Sequence, residues 1–495
     1  MTTMTLPIYQ STQIRELERL AEERFGISSE VLMQRAGKAA LDCLLHHFPQ
    51  AKKIAVFCGP GNNGGDGYVL ARLAHERGIR VTVWQVGDHG KLKNQALHAF
   101  NSCQQAEVRI RPFGKEIDLQ HPDVLVDAIA GIGFHDKPRD EMLRAIEAIE
   151  QLRLPVLALD IPTGVDADTG QVPGKAVRAT VTITFIGLKL GLLTGNGATH
   201  SGIVSMSDLQ LPTELFSSMP PAAETLAGSP LLNGYLQPRP RDWHKGKSGH
   251  LVIVGGQSGM SGAVLMAAAA ALRVGAGLVS VVTSPEHAHV LNVARPEVMV
   301  HAVRNAEELP LLLGRADCVV LGTGLGKSLW SQSLWKTVLQ ISRPILLDAD
   351  GINLLAEFPQ SRDNWVLTPH PGEAARLINE TVADVQKDRL AAIKQIQARF
   401  GGTCVLKGAG SLIHSANQIP VLCDKGNPGM ATAGMGDILS GVIGGLMVQG
   451  VPMADAAIIG VYLHAMAGDL AAQEGERGMI ATDLLPYLRR LCNPA

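Results

Sequence analysis

Along the whole chain, short apolar runs alternate with Gly-rich turns and stretches of helical spacing. Between residues 12 and 47, Ile14, Leu17, Leu20 and Ala21, then Val31, Leu32, Ala36, Ala39 and Ala40, recur at helical intervals and predict two helices. The run 53–58 predicts a buried strand. It leads into Gly59-Pro60-Gly61-Asn62-Asn63-Gly64-Gly65-Asp66-Gly67, after which a helix is expected through His75 and a strand over 80–86. Val124-Leu125-Val126-Asp127-Ala128 and Pro155-Val156-Leu157-Ala158-Leu159-Asp160 read as strands carrying carboxylates at their ends, with a loop at 130–134 and a helix over 142–149 between them. Short strands are expected over 187–204.

Residues 211–241 change character, with Pro212, Pro220, Pro221, Pro238 and Pro240 set among Ser, Gly and Ala. A boundary is predicted there, giving one domain over 1–216, a linker over 217–227 and a second domain over 228–495. Beyond it the alternation restarts. Strands are predicted at 251–254, 277–282, 318–321, 344–350, 366–367 and 403–406, with a small-residue helix over 263–274. The fold class is α/β: two three-layer αβα domains with largely parallel sheets.

Composition narrows the function. The chain has 495 residues, enough for two cores, with 46% hydrophobic and 18% charged residues, as in a well-buried globular protein. A net charge of −2 gives no footprint for nucleic acid or an anionic membrane. Aromatic content of 4% disfavours base-stacking platforms. Seven scattered cysteines without a C-x-x-C pair argue for a reducing, cytoplasmic setting and against structural zinc. The longest apolar stretch, 263–282, holds Arg273 and reads as a buried helix and strand, not a membrane span. The N-terminus lacks the pattern of a secretion signal.

The candidate chemistry centres on Asn427-Pro428-Gly429-Met430-Ala431-Thr432-Ala433-Gly434-Met435-Gly436-Asp437, just before the apolar run 438–443, which predicts a helix. Small residues let backbone approach a ligand, and the free N–H groups of a helix start attract phosphate. A carboxylate beside phosphate is repulsive unless it takes a proton from a hydroxyl that attacks phosphorus. The plainer alternative is that Asp437 caps the helix. In the first half, Asn62, Asn63 and Asp66, Asp127 and Asp160 share the carboxyl-end rim of a predicted sheet, where α/β folds bind ligands. No strand leads into the G-x-G-x-x-G spacing of a dehydrogenase. The G-x-G-x-G-K-S run at 322–328 has three residues where the phosphate-loop pattern needs four.

His244-Lys245-Gly246, Thr368-Pro369-His370-Pro371-Gly372-Glu373, Lys407-Gly408-Ala409-Gly410 and the 427–437 motif together resemble the ADP/ATP-dependent NAD(P)H-hydrate dehydratases, which belong with the ribokinase-like small-molecule kinases. Residues 59–67 and Asp160-Ile161-Pro162-Thr163-Gly164 resemble NAD(P)H-hydrate epimerases, with a Rossmann-like domain. The resemblance covers essentially the whole chain. It implies metabolite repair: hydrated NADH and NADPH (NADHX and NADPHX), which carry a hydroxyl on C6 of the nicotinamide ring, are interconverted between R and S forms. The S form is then dehydrated at the expense of ADP, giving AMP and phosphate.

By that resemblance, Asp437 is the base on the hydroxyl, and Ala263, Gly324, His370 and Asp437 contact the hydrate. Lys407, Gly408, Ala409, Gly410, Ser411 and Gly436 cradle the nucleotide. Glu373 is a candidate for holding Mg²⁺ through water. In the first domain the resemblance carries Asn62, Asn63, Gly64, Gly65, Asp66 and Gly131, Ile132, Gly133, Phe134, His135, Asp136, Lys137 onto substrate binding, and Asp160 onto acid/base work. Asn63, Asp127 and Thr163 fall at a K⁺ site. A homo-oligomer, tetramer or larger, is also implied, with small molecules as the only ligands. The rival readings are a kinase of a small alcohol and a non-enzymatic first half.

Overall fold

The computed structural model describes residues 5–114, 121–138, 140–226 and 230–493. It divides into two compact units between Ala223 and Glu224, inside the segment expected as a linker. That segment carries a strand, Ala223–Thr225, in which Glu224 and Thr225 pair with Val421 and Leu422. The expected linker end at 227 and domain start at 228 lie outside the described residues.

The unit Leu6–Ala223 is built on a parallel sheet. Its strand order is Arg109–Pro112, Arg80–Gln85, Lys53–Cys58, Val124–Ala128, Val156–Leu159, Val181–Phe185 and Ile203–Ser207. Along Lys53–Cys58, Ile54, Val56 and Cys58 enter one apolar cluster, while Ala55 and Phe57 enter another. Both faces are therefore covered, which is why the strands read as continuous apolar runs without polar alternation. The chain leaves Lys53–Cys58 toward one edge and returns through Val124–Ala128 on its other side. A crevice at the carboxyl ends of these two strands follows from that reversal. The strand Pro7–Tyr9 pairs with Leu188–Lys189.

Two local expectations change. The helix after the first strand begins at Asn62, not beyond Gly67, so the Asn and Asp side chains of the Gly-rich stretch stand on its first turns. A Cβ on Gly64 would lie 1.9 Å from the Gly59 carbonyl oxygen, so only glycine lets the helix start so close to the strand. The second change concerns 187–204, expected as short strands. Leu188–Lys189 and the start of Ile203–Ser207 are strands, but the buried Leu190–Leu193 and the polar, partly exposed Gly195–Ser201 are helical. A Cβ on Gly197 would lie 1.9 Å from the Gly191 carbonyl oxygen, so glycine there lets the two turns pack backbone to backbone.

In the second unit the order runs Met299–Ala302, Leu278–Thr283, His250–Val254, Cys318–Leu321, Ile345–Leu347, Trp365–Leu367, Thr403–Leu406, Ser411–Ser415 and Val421–Cys423. Neighbours are parallel through Thr403–Leu406, and Ser411–Ser415 is antiparallel to both of its partners. One face carries the helices Ser261–Arg273, Met435–Met447 and Met453–Ala471, packed on Leu251, Ile253, Val320, Leu346 and Val366. The intervening Val252, Val319, Ile345 and Trp365 are buried as well, so the opposite face is also covered. A Cβ on Gly441 would sit 2.0 Å from the Ala267 carbonyl oxygen: small residues bring those two helices into backbone contact. Among the described residues no helix is long and apolar enough to cross a membrane.

Candidate active sites

In the second unit, the helix expected from Ile438 starts at Met435, with Gly434 before it at φ 91°. Positive φ is open to glycine, and the turn it makes aims the amides of Met435, Gly436 and Asp437 out of the helix end. Asp437 thus stands inside the first turn. No side-chain hydrogen bond caps this helix, which removes the capping explanation for the carboxylate. Asp437 instead lines a cavity of about 410 Å³ with Asp348, His370, Glu373, Lys407, Gly408, Gly434 and Gly436.

Lys407 organises this cavity. Its ammonium donates to Asp348 Oδ1 at 2.8 Å and lies 3.9 Å from Glu373 Oε2. Ser440, one turn along the helix from Asp437, donates to Asp348 Oδ2 at 2.7 Å. Burial pushes Asp348 up, but Lys407 and Ser440 outweigh it and hold its carboxyl below the usual range. Asp437 has no such partner among the described residues. Burial, reinforced by the negative charge of Asp348 and only partly opposed by Lys407, pushes Asp437 up to about 7. Burial also pushes Glu373 up to about 7; its Oε2 accepts the His370 N–H at 2.8 Å, a helix-capping task.

These shifts set a pH dependence. In the role the resemblance implies for Asp437, a base on the substrate hydroxyl works only when ionised, so dehydration should fall as pH drops through about 7 and level off above it. The check is kcat/KM for the S hydrate from pH 5.5 to 9; a flat profile through 7 contradicts Asp437 as base.

The other expected residues spread around this site. Ala409 lies beyond the lining, on the turn after Thr403–Leu406, and Ser411, also beyond it, opens the strand Ser411–Ser415. Gly410, also outside the lining, gives its carbonyl to buried Arg389, as do Leu406 and Lys407. Ala263 and Gly324 meet each other, since a Cβ on Gly324 would lie 3.1 Å from that of Ala263, but they do not line the same cavity. Asp348 is the residue that sequence reasoning left without a role. Its signal was its place at the end of a predicted strand.

In the first unit a cavity of about 640 Å³ opens at the reversal of strand order. Asn62, Asn63, Asp66, Gly131, Ile132, Gly133, Phe134 and Asp160 line it. Gly64 and Gly65 are buried in the helix behind it. His135, Asp136 and Lys137 are exposed and outside the lining, and His135 Nδ1 pairs with Asp166 Oδ2 at 2.8 Å. Asp127 and Thr163 join each other: the Thr163 hydroxyl donates to Asp127 Oδ1 at 2.7 Å and its N–H to Oδ2 at 2.8 Å. Burial pushes Asp127 up to about 6. The Thr163 hydroxyl also accepts from Ala130 N–H, next to Gly131.

Sequence reasoning missed Lys189 and Glu18. Lys189 is 0% exposed, and its ammonium donates to Asp160 Oδ1 at 2.5 Å, Thr184 Oγ1 at 2.8 Å and the Phe185 carbonyl at 2.7 Å. All three of its donors are used, so it holds Asp160 by one oxygen only. The other, Oδ2, lies 3.1 Å from where a Cβ on Gly131 would be, at the cavity wall. Asp160 itself sits at φ 64°, a left-handed conformation tolerated by Asp that turns its side chain back toward Lys189. The available signal was a lone lysine inside the apolar run 186–193, since a charge so placed needs a buried partner.

The family model described as NAD(P)H-hydrate dehydratase matches residues 251–490, and that of the YjeF-related protein N-terminus matches residues 29–191. The bifunctional NAD(P)H-hydrate repair enzyme Nnr of Coxiella burnetii is 49% identical over 488 residues, covering 98% of this chain and 99% of that one. Its counterpart from Escherichia coli is 42% identical, with 98% and 94% covered. Among solved structures, an ADP/ATP-dependent NAD(P)H-hydrate dehydratase from Bacillus subtilis is 27% identical, covers 52% of this chain and 94% of that one, and superposes with a TM-score of 0.48. With relatives this similar over nearly their full lengths, the chain belongs to the family of bifunctional NAD(P)H-hydrate repair enzymes.

Proposed function

We propose that the second unit dehydrates the S form of NADHX and NADPHX using ADP, and that the first unit supplies the S form by epimerising the R form. The observation that carries the first part is Asp437: a half-buried carboxylate, uncapped and unneutralised, in the first turn of a helix whose free amides suit a phosphoryl group.

Hydroxide is a poor leaving group, whereas phosphate is a good one. Asp437 takes the proton of the C6 hydroxyl as its oxygen attacks the β-phosphorus of ADP, and AMP leaves. The Gly434–Asp437 amides and Lys407 meet the charge on the transferring phosphoryl group. The ring nitrogen then expels phosphate, and loss of a C5 proton restores the dihydropyridine. The turn 407–411 is the seat we assign to the nucleotide, with Ala263, Gly324 and His370 toward the hydrate.

Two cations enter this reading. Magnesium ions that accompany nucleotide phosphates keep much of their water and need few protein ligands. Glu373, already capping His370, fits such a contact through water. Among the described residues no group of three His, Cys, Asp or Glu side chains is placed for a metal, so a Mg²⁺ ion would depend on the nucleotide itself. For K⁺, the observation is Asn63: both polar atoms of its amide are buried without a partner among the described residues. With the hard oxygens of Asp127 and Thr163 across Ala130 and Gly131, it fits a weakly charged cation that would anchor substrate phosphate. The cysteines are all free, in keeping with a reducing, cytoplasmic setting.

ADP should support dehydration, and ATP should be a poor donor. Initial rates with each at equal concentration test this; a preference for ATP contradicts it. Product analysis with the purified S hydrate tests the function itself. Recovery of the reduced-nicotinamide absorbance is expected, whereas a stable phosphorylated alcohol would make the unit a kinase.

A further inference from the structure

We propose that epimerisation proceeds by loss and return of the C6 hydroxyl through a cationic ring, with Asp66 donating the proton to the departing oxygen and Asp160 receiving one from the incoming water. This rests on the epimerase reading of the first unit. It adds the route and the second proton carrier.

The 640 Å³ cavity gathers three carboxyl groups and two cations. Glu18, Asp66 and Asp160 face it, against the ammonium of Lys189 and the exposed guanidinium of Arg15. Lys189 is spent on Asp160, Thr184 and Phe185. No side-chain hydrogen bond joins Asp66 to another described residue. The charged and titratable groups facing Asp66 are Asp160, Glu18 and Lys189, with Cys58 behind it on the strand. The helices Ser29–His47 and Asn94–Gln105 present only Ser29, Leu32, Met33, Ala36 and Gln95 to the cavity. Burial, with the charges of Asp160 and Glu18 added, raises Asp66 well above the usual carboxylate range.

The two aspartates of the cavity thus differ in their partners. Asp160 is tied to a buried cation and keeps a free oxygen; Asp66 has no cation of its own and keeps its proton. A carboxyl without a cation suits the acid, and one held by an ammonium through a single oxygen suits the base. Once Asp66 has given up its proton, three carboxylates face two cations, and that surplus selects the route because it stabilises the ring cation as it forms. Ring opening to an aldehyde creates no cation for the cavity to favour. Adding K⁺ beside Asn63 brings the carboxylate of Asp127 with it, so the surplus remains.

The step balances. Asp66 gives its proton to the C6 oxygen, the C6–O bond breaks with its electron pair going to oxygen, and water leaves. The N1 lone pair forms N1=C6. Water adds to C6 from the opposite face, re-forming C6–O, and its proton passes to Asp160. Starting from the other isomer, the two aspartates exchange roles.

The experiment uses the full chain without ADP, the pure R hydrate and ¹⁸O-labelled water. Wild type should place one ¹⁸O in each inverted molecule, and its rate should fall at alkaline pH as Asp66 loses its proton. Asp66→Asn should cut the inversion rate by about 10²–10⁴-fold and lose the alkaline fall, while dehydration of the S form stays at the wild-type rate. Inversion without label, or a wild-type inversion rate in Asp66→Asn, overturns the proposal and leaves the epimerase assignment standing. A wild-type chain that does not invert the hydrate at all overturns both. The label needs wild type only, so an unfolded variant would not rescue the idea.

Discussion

Asp437→Asn should abolish dehydration while leaving epimerisation untouched. Asn keeps the shape and can still hydrogen-bond, but it cannot take the hydroxyl proton. Loss of a general base costs about 10²–10⁴ in rate. Loss of a helix cap would instead cost about 1 kcal/mol of stability and little activity, and no cap exists at this helix. The variant also removes a repulsive neighbour of Asp348 and of incoming phosphate. ADP binding should therefore survive or tighten, which calorimetry reads directly. Weakened ADP binding with a near-normal rate at saturating ADP would mean that Asp437 only shapes the site.

Asp160→Asn should do the converse, and at a cost in stability that Asp437→Asn does not share. Lys189 is wholly buried, and the carboxylate of Asp160 is its anionic partner within hydrogen-bond reach. Breaking one side of a buried pair typically costs about 3–5 kcal/mol, because the other charge stays behind unpaired. The first unit should melt earlier, and epimerisation should collapse to the unaided rate. The double variant Asp160→Asn with Lys189→Met separates the two effects. Removing both partners should restore much of the melting temperature and none of the activity. Recovery of activity in the double variant would show that Asp160 serves the fold alone.

Much of this arrangement was legible in the sequence, for identifiable reasons. The strands Lys53–Cys58, Val124–Ala128 and Cys318–Leu321 are buried on both faces and announce themselves as apolar runs. Asp437 and Asp160 stood out because carboxylates adjoin such runs where ligands gather. Helix starts were less legible. Asn62 and Met435 begin helices inside Gly-rich stretches, where propensity argues against a helix and only close backbone packing allows one. The short strands Arg109–Pro112 and Val181–Phe185 left too little pattern to be placed. Lys189 and Asp348 escaped notice as site residues because their importance lies in partners distant in sequence: Asp160 for one, Lys407 and Ser440 for the other. No local pattern encodes such pairs.

The most direct test of the two-step repair follows an equilibrated mixture of R and S hydrated NADH with excess ADP and wild-type protein. Both isomers should be consumed in one enzyme-driven course, with NADH, AMP and phosphate released in equal amounts up to the total hydrate added. A course that stops at the S fraction, or that accumulates a phosphorylated hydrate without NADH, would contradict it.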